Sequence, residues 1–187
     1  FEFINNGKWT TLTLEQLANV LAKIDADTRQ QHPELFEYLE TRVAALTATA
    51  KGKVFTDLTG TDPEGNKVAV SGIVGKNKLT LIDFWASWCS PCIRDFPKLN
   101  ELYTKYRDQG FEIIGVTLDS KKSDWLQALQ SHPELTWPTM ANFGRSLGEV
   151  YAVTSIPYTV LVDQNGKIVA KGLRPEKIRA ELEKVFR

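Results

Sequence analysis

The feature that most constrains this chain is a pair of cysteines, Cys89 and Cys92, the only two among its 187 residues. They follow the short apolar run 79–85 (LTLIDFW), which is typical of a buried β-strand. After them, apolar side chains recur every three or four residues as far as Gly110, as on one face of a helix. The sequence therefore predicts a junction between strand and helix, with Cys89 at the start of the helix and Cys92 one turn further.

This position has a chemical consequence for the thiols. The first amides of a helix lack partners, and the helix dipole adds partial positive charge there. Such surroundings stabilise a thiolate, so we expect a lowered pKa for Cys89 and assign it as the attacking sulfur. Cys92 is expected to lie deeper and to resolve the mixed disulfide, while Pro91 suits the first helical turn.

Three other interpretations of the cysteine pair remain open. It could form a structural disulfide, contribute half of a zinc site, or consist of two idle thiols. Zinc usually takes four ligands, and the two histidines, His32 and His132, lie far away in sequence. Redox chemistry is therefore the interpretation that the residues favour.

Two segments resemble a known family. The segment from Asp83 to Cys92 (DFWASWCSPC) resembles the active-site segment of thioredoxins. Asp95, with the following Phe-Pro, resembles the extracytoplasmic thiol-disulfide oxidoreductases typified by TlpA and ResA, in which an acidic residue follows the second cysteine by three. That group usually has Glu there and often Asn where Asp83 stands. The segment 154–159 (TSIPYT) resembles the cis-proline loop of the family, and the resemblance covers about residues 51–187.

The resemblance implies an α/β fold, a thioredoxin-like mixed sheet flanked by helices. It implies a thiol-disulfide oxidoreductase that exchanges two electrons with protein thiols or disulfides and needs no cofactor or metal. It also implies an extracytoplasmic, periplasmic location. Apocytochrome c and other extracytoplasmic proteins would be the clients, and a membrane thiol protein would supply electrons.

Two acidic residues are candidates for proton transfer. Asp83 stands between apolar neighbours in the predicted strand, so its pKa should be raised and it could exchange a proton with Cys92. The alternative is a partly solvated carboxylate at a strand end. Asp95 follows Cys92 by three and shares its helix face. Its alternative role is to complement the helix dipole.

A third set of residues is assigned to client binding. Trp88, Ser90 and Pro91 surround the cysteines in sequence. Pro157 could form a cis peptide bond that presents the backbone of Ile156 to an extended client strand. An ordinary trans proline at the start of a strand is the alternative.

Residues 1–50 are predicted to be an N-terminal helical segment, and residues 51–187 the thioredoxin-like domain. Thr13 and Gln16 form a capping-box pattern, and Pro33 can open a second helix. We expect packing or partner contact as the role of this segment. Beyond it the patterns predict these further elements: a hairpin of strands 54–58 and 67–70, a strand 111–117, a helix 123–131, a strand 137–140, a helix 145–152, a hairpin 157–162 with 167–171, and a last helix from Pro175.

Charge and hydropathy exclude some classes of function. The chain has 23 basic and 23 acidic side chains, which gives no electrostatic case for binding nucleic acid or an anionic membrane. It has no apolar run as long as a membrane-spanning helix.

Because the chain opens at Phe1, we expect a targeting or anchoring segment to be missing.

Two other classes of function are kept beside the oxidoreductase. One is a binding module on a thioredoxin scaffold with incidental cysteines. The other, weaker one is a peroxidase, whose Thr-x-x-Cys arrangement the segment SWCSPC lacks.

Overall fold

The computed structural model describes residues 12–144 and 146–187. The first eleven residues of the predicted N-terminal segment, and Arg145 at the start of the predicted helix 145–152, lie outside the described residues.

The described elements alternate along the chain after three initial helices. The strands are β1 (Thr59–Thr61), β2 (Lys67–Ala69), β3 (Leu79–Trp85), β4 (Phe111–Thr117), β5 (Thr139–Met140), β6 (Tyr158–Asp163) and β7 (Ile168–Lys171). The α-helices are α1 (Leu14–Lys23), α2 (Ala26–Gln31), α3 (Pro33–Ala48), α4 (Ser71–Val74), α5 (Ser90–Tyr106), α6 (Lys122–Ser131) and α7 (Pro175–Val185). Two short 3₁₀ helices span Arg107–Gln109 and Leu147–Tyr151.

The main sheet is mixed and has five strands in the order β5-β4-β3-β6-β7. β3 runs parallel to β4, and β4 parallel to β5, whereas β6 and β7 are antiparallel to their neighbours. All seven residues of the central strand β3 are buried, as its apolar sequence predicts. The mixed sheet flanked by helices, the helix that follows the cysteines and the β6–β7 hairpin are thus confirmed.

The two faces of the sheet carry separate cores. On one face Leu81 and Trp85 of β3 pack with residues of α5 and α7. On the other face Ile82 and Phe84 pack with Tyr151 of the second 3₁₀ helix. Because side chains alternate along a strand, Asp83 points to the face that α5 and α7 cover.

Several predicted boundaries are wrong. The predicted strand 54–58 is absent, and β1 of the hairpin begins only at Thr59. Val54 makes only an isolated antiparallel bridge, with Lys167. Side chains take up two of the following backbone groups: the Tyr151 hydroxyl donates to the Thr56 carbonyl at 2.6 Å, and the Asp57 carboxylate accepts from the Leu58 amide at 2.9 Å. The predicted strand 137–140 is reduced to β5, and the predicted helix 145–152 to the 3₁₀ helix.

Helix α2 was not predicted from the sequence. Its N-cap is Asp25, whose carboxylate accepts from the Thr28 amide at 2.8 Å. The predicted capping box of α1 is confirmed, since Thr13 and Gln16 exchange backbone and side-chain hydrogen bonds.

The N-terminal helices have a small core of their own, formed by Leu17, Leu21, Phe36 and Leu39. They also contact the sheet domain through hydrogen bonds. Arg42 Nη1 of α3 donates to the Ala152 carbonyl at 2.9 Å, and Lys171 Nζ of β7 donates to Thr49 Oγ1 at 3.1 Å. The division of the chain at residue 50 stays a prediction. Within the described residues, no helix has both the length and the apolar character needed to cross a membrane.

Candidate active site

Cys89 and Cys92 are joined by a disulfide at the start of α5, with their Cα atoms 5.3 Å apart. Cys89 is the N-cap residue, and its Sγ accepts a hydrogen bond from the Cys92 amide at 3.2 Å. Pro91 lies in the first helical turn, as predicted. The exposed fractions of the two cysteines are nearly equal, 3% and 2%, so the expected deeper position of Cys92 is not seen in this disulfide form.

The backbone just before the cysteines is fixed by a carboxylate that the sequence did not reveal. Asp119 follows β4 and is buried. Its oxygens accept from the Ser87 amide at 3.0 and 3.2 Å, from Ser87 Oγ at 2.7 Å and from Thr117 Oγ1 at 2.6 Å. The loop that leads from β3 to Cys89 is therefore bound to the end of the neighbouring parallel strand. The one signal in the sequence is that Asp119 closely follows a predicted strand, at the edge where parallel strands end.

Asp83 lies in the centre of the sheet, and its residue is 2% exposed. Burial raises the pKa of its carboxyl to about 7, the nearby Asp95 carboxylate raises it too, and the Arg174 guanidinium opposes both. The raised pKa agrees with the expectation from its apolar neighbours. A carboxyl with a pKa near 7 can both accept and donate a proton near neutral pH.

Asp95 lies in the second turn of α5, and its side chain is 13% exposed. Its Oδ2 is 2.8 Å from Nη2 of Arg174, the N-cap residue of α7. The field of the helix dipole falls off beyond the first turn, so the ion pair with Arg174 is the stronger interaction of this carboxylate. Arg174 was missed because it is remote in sequence and no local pattern links it to the cysteines.

The predicted client-binding residues lie around the same edge of the sheet. The Ile156–Pro157 peptide bond is cis, as predicted. Tyr158 pairs with Phe84 in the antiparallel register, so Pro157 lies beside the end of β3 that leads to Cys89. Trp88 is 68% exposed. The remaining predicted client residues are also accessible: Ser90 is exposed, and Pro91, Ile156 and Pro157 are half-buried. The functional roles of all these residues stay predictions.

Comparison with known proteins agrees with this geometry. A family model described as thioredoxin-like matches residues 77–168, a range that contains both cysteines and the cis proline. The thiol-disulfide oxidoreductase ResA of Bacillus cereus is 32% identical over 132 residues, which are 71% of this chain and 74% of that protein. ResA of Geobacillus thermodenitrificans is 32% identical over 142 residues, 74% of this chain and 80% of that protein.

Solved structures lead to the same class. The thioredoxin domain of a thiol-disulfide oxidoreductase from Bacteroides vulgatus has 34% identity and a TM-score of 0.67, covering 74% of this chain and 99% of that one. A thiol:disulfide interchange protein from a Bacteroides species has 34% identity and a TM-score of 0.65, covering 73% of this chain and 90% of that one.

The thioredoxin-like sheet, with a disulfide at the head of its active-site helix, defines a protein disulfide oxidoreductase. Within that class, the chain belongs to the family of ResA-type thiol-disulfide oxidoreductases.

Proposed function

We propose that the protein reduces disulfides of other proteins outside the cytoplasm, with Cys89 as the nucleophile and Cys92 as the resolving thiol. The observation that carries this proposal is the cysteine pair at the start of α5, on the sheet face that also holds the buried carboxyl of Asp83. Unpaired amides and the dipole at a helix start favour the thiolate of Cys89.

The proposed reaction has two exchange steps. The Cys89 thiolate attacks a client disulfide, whose S–S bond breaks; a mixed disulfide forms, and the departing client sulfur takes up a proton. Cys92 then gives its proton to Asp83 and attacks the Cys89 sulfur. The Cys89–Cys92 disulfide closes, and the second client sulfur leaves and takes up the proton. Two electrons and two protons pass to the client, and a dithiol donor must return them.

The client would bind along the edge formed by Trp88 and the Ile156–Pro157 loop. An extended client strand can pair with backbone groups at this edge, which gives affinity with little demand on client sequence. Ser90 and Pro91 would border the same surface. The two carboxylates have separate proposed roles, Asp83 in proton transfer and Asp95 in adjusting the charge around it.

Location, clients and electron donor are proposed from the resemblance to the TlpA and ResA group. On that basis the protein works in the periplasm, its clients include apocytochrome c, and a membrane thiol protein recharges it. The zero formal charge gives no reason to expect nucleic acid as a partner.

A trapping experiment tests the proposed mechanism. With a model protein disulfide, the Cys92→Ser variant should accumulate a covalent complex through Cys89, because attack remains possible and release does not. The matched Cys89→Ser variant should form no such complex. Asp83→Asn should keep the attack of Cys89 but slow release, with the largest effect below the pH at which Cys92 ionises unaided. Single-turnover rates across pH measure both steps.

The outcomes separate the enzyme from the binding module. If Cys92→Ser traps nothing and Asp83→Asn matches the unmodified protein at every pH, the proposed mechanism is wrong. Client binding that persists in the Cys89→Ser variant without any disulfide exchange would then favour a thioredoxin-fold binding module.

A further inference from the structure

The interface between α5 and α7 contains three ion pairs among the described residues. They are Arg174 with Asp95, Lys98 with Glu176, and Arg179 with Glu101. In the second and third pairs every side chain is 43% exposed or more, as in ordinary surface pairs. In the first pair the Arg174 side chain is 48% exposed, but the Asp95 side chain is only 13% exposed. Of the three pairs, this pair alone acts on the charge state of Asp83.

The backbone beside Arg174 is held from the strand next to Asp83. Thr159 of β6 is the register partner of Asp83 and is buried. Its Oγ1 donates to the Leu173 carbonyl at 2.8 Å and accepts from the Leu173 amide at 2.9 Å. Pro175 follows Arg174 and restricts it to the extended conformation it adopts, with φ −91° and ψ 163°. The chain on both sides of Arg174 is thus fixed.

We propose that Arg174 is a positioning residue of the redox site: it holds Asp95 in an ion pair, places a compensating positive charge near the carboxyl of Asp83, and thereby controls the release step. This inference rests on the proposed role of Asp83 in proton transfer. Arg174 is assigned no direct role at either cysteine, and it acts through the carboxyl groups of Asp95 and Asp83.

Few groups face Asp83, which makes the effect of Arg174 specific. Among the described residues, the charged groups that act on Asp83 are Asp95 from α5 and Arg174 from the start of α7. Its register partners on the neighbouring strands are Gly115 of β4 and Thr159 of β6. Gly115 has no side chain, and the Thr159 hydroxyl is engaged with Leu173. In the disulfide form Cys92 does not titrate. The charges of Asp95 and Arg174 therefore act on Asp83 with opposite sign.

Loss of Arg174 should leave the negative charge of Asp95 unopposed. Burial and Asp95 both raise the pKa of Asp83, whereas Arg174 lowers it. In Arg174→Gln the carboxyl of Asp83 should hold its proton to higher pH. As a base for Cys92 it would then work only at higher pH.

The test measures two quantities across pH in Arg174→Gln. Carbon-detected NMR of aspartate carboxyls in the disulfide form gives the titration midpoint of Asp83, and single-turnover kinetics with a model disulfide gives the release rate. We expect both midpoints to rise by about one pH unit, with release about tenfold slower below pH 7, as for the loss of one nearby opposite charge.

Three variants serve as controls. Arg179→Gln removes a cation from the same helix interface and should leave both midpoints unchanged. Arg174→Lys keeps the positive charge, so both midpoints should stay close to those of the unmodified protein. Arg174→Gln combined with Asp95→Asn should bring the midpoint of Asp83 back toward that of the unmodified protein, because both opposing charges are gone.

The outcomes distinguish failure of this inference from failure of the proposed function. An unchanged NMR midpoint in Arg174→Gln, or an equal shift in Arg179→Gln, overturns the inference on Arg174. A shifted NMR midpoint with an unchanged release profile overturns both the control of release by Arg174 and the proton transfer proposed for Asp83. Loss of the step near pH 7 from the release profile of Asp83→Asn, together with both shifts in Arg174→Gln, supports the two proposals.

Discussion

Asp83 within the central strand β3 and Asp119 just after its neighbour β4 are two buried carboxyl groups, with 2% and 7% of their residues exposed. Asp119 is surrounded by donors, since Ser87 and Thr117 supply an amide and two hydroxyls. No comparable set of donors surrounds Asp83 in the described part of the chain, and burial raises its pKa to about 7. Burial alone therefore does not mark a functional carboxyl. The supply of hydrogen-bond donors separates a carboxylate that fixes a loop from one that can exchange a proton.

The largest expected effect is the loss of the carboxylate of Asp119. In Asp119→Ala the Ser87 amide and the two hydroxyls lose their acceptor, and each unpaired buried group costs about 1–3 kcal/mol. We expect the free energy of unfolding to fall by about 4 kcal/mol at pH 7, as measured by urea denaturation with the disulfide intact. A loss below about 1 kcal/mol would show that water replaces the carboxylate, and the contrast with Asp83 would break down.

A smaller effect of opposite sign is expected for Asp83→Asn. The pKa of Asp83 is about 7 in the folded protein and about 3.9 in an unfolded chain, so the folded state holds this proton more tightly. The tighter proton binding stabilises the folded state fully below about pH 4, and this stabilisation is lost as the pH rises through 7. The whole difference in pKa represents ~4 kcal/mol of folding free energy.

Asparagine does not titrate, so the variant should escape this loss. At pH 8 the unmodified protein has lost nearly the whole of this ~4 kcal/mol, while burying the asparagine amide without a comparable set of partners costs about 2 kcal/mol. We therefore expect Asp83→Asn to be more stable than the unmodified protein by about 2 kcal/mol at pH 8, with no gain at pH 4. Denaturation curves at the two pH values measure the difference. Asp119→Asn is the matched control and should be less stable than the unmodified protein at pH 8. Equal signs in the two variants would contradict the comparison.

The smallest effect concerns one donor of the Asp119 network. Ser87→Ala removes the hydroxyl bond of 2.7 Å but keeps the two contacts from the Ser87 amide. We expect a loss of about 1 kcal/mol in the free energy of unfolding, unchanged between pH 6 and 9. Thermal or urea denaturation over that range tests it, and a loss as large as that of Asp119→Ala would mean that the hydroxyl carries the whole network.

The parts of this molecule that the sequence predicted depend on local patterns. The buried strand β3 and helix α5 follow from the change of hydrophobic period at the cysteines, and the raised pKa of Asp83 follows from its place inside that apolar strand. The cis proline was predicted from the resemblance of residues 154–159 to a family loop. Each of these signals lies within a short stretch of sequence.

The parts that were missed depend on contacts between distant elements. Arg174 meets Asp95 because α7 packs against α5, and Asp119 meets Ser87 because β4 lies beside β3. Neither pairing leaves a trace in the spacing of residues. The absent strand at 54–58 has a similar origin, since a tyrosine from the second 3₁₀ helix takes up the Thr56 carbonyl. A pattern of apolar residues does not contain that information.

The hydrogen bond from Arg42 to the Ala152 carbonyl bears on where the chain can be shortened. Ala152 has a φ of 53°, a left-handed conformation that costs an L-residue about 1–2 kcal/mol, and it lies five residues before Pro157. A version trimmed to residues 51–187 would keep both cysteines and all the proposed catalytic groups. It would lose the guanidinium that holds this bend at the entrance to the cis-proline loop. The shortest chain that keeps this contact must therefore reach back at least to α3.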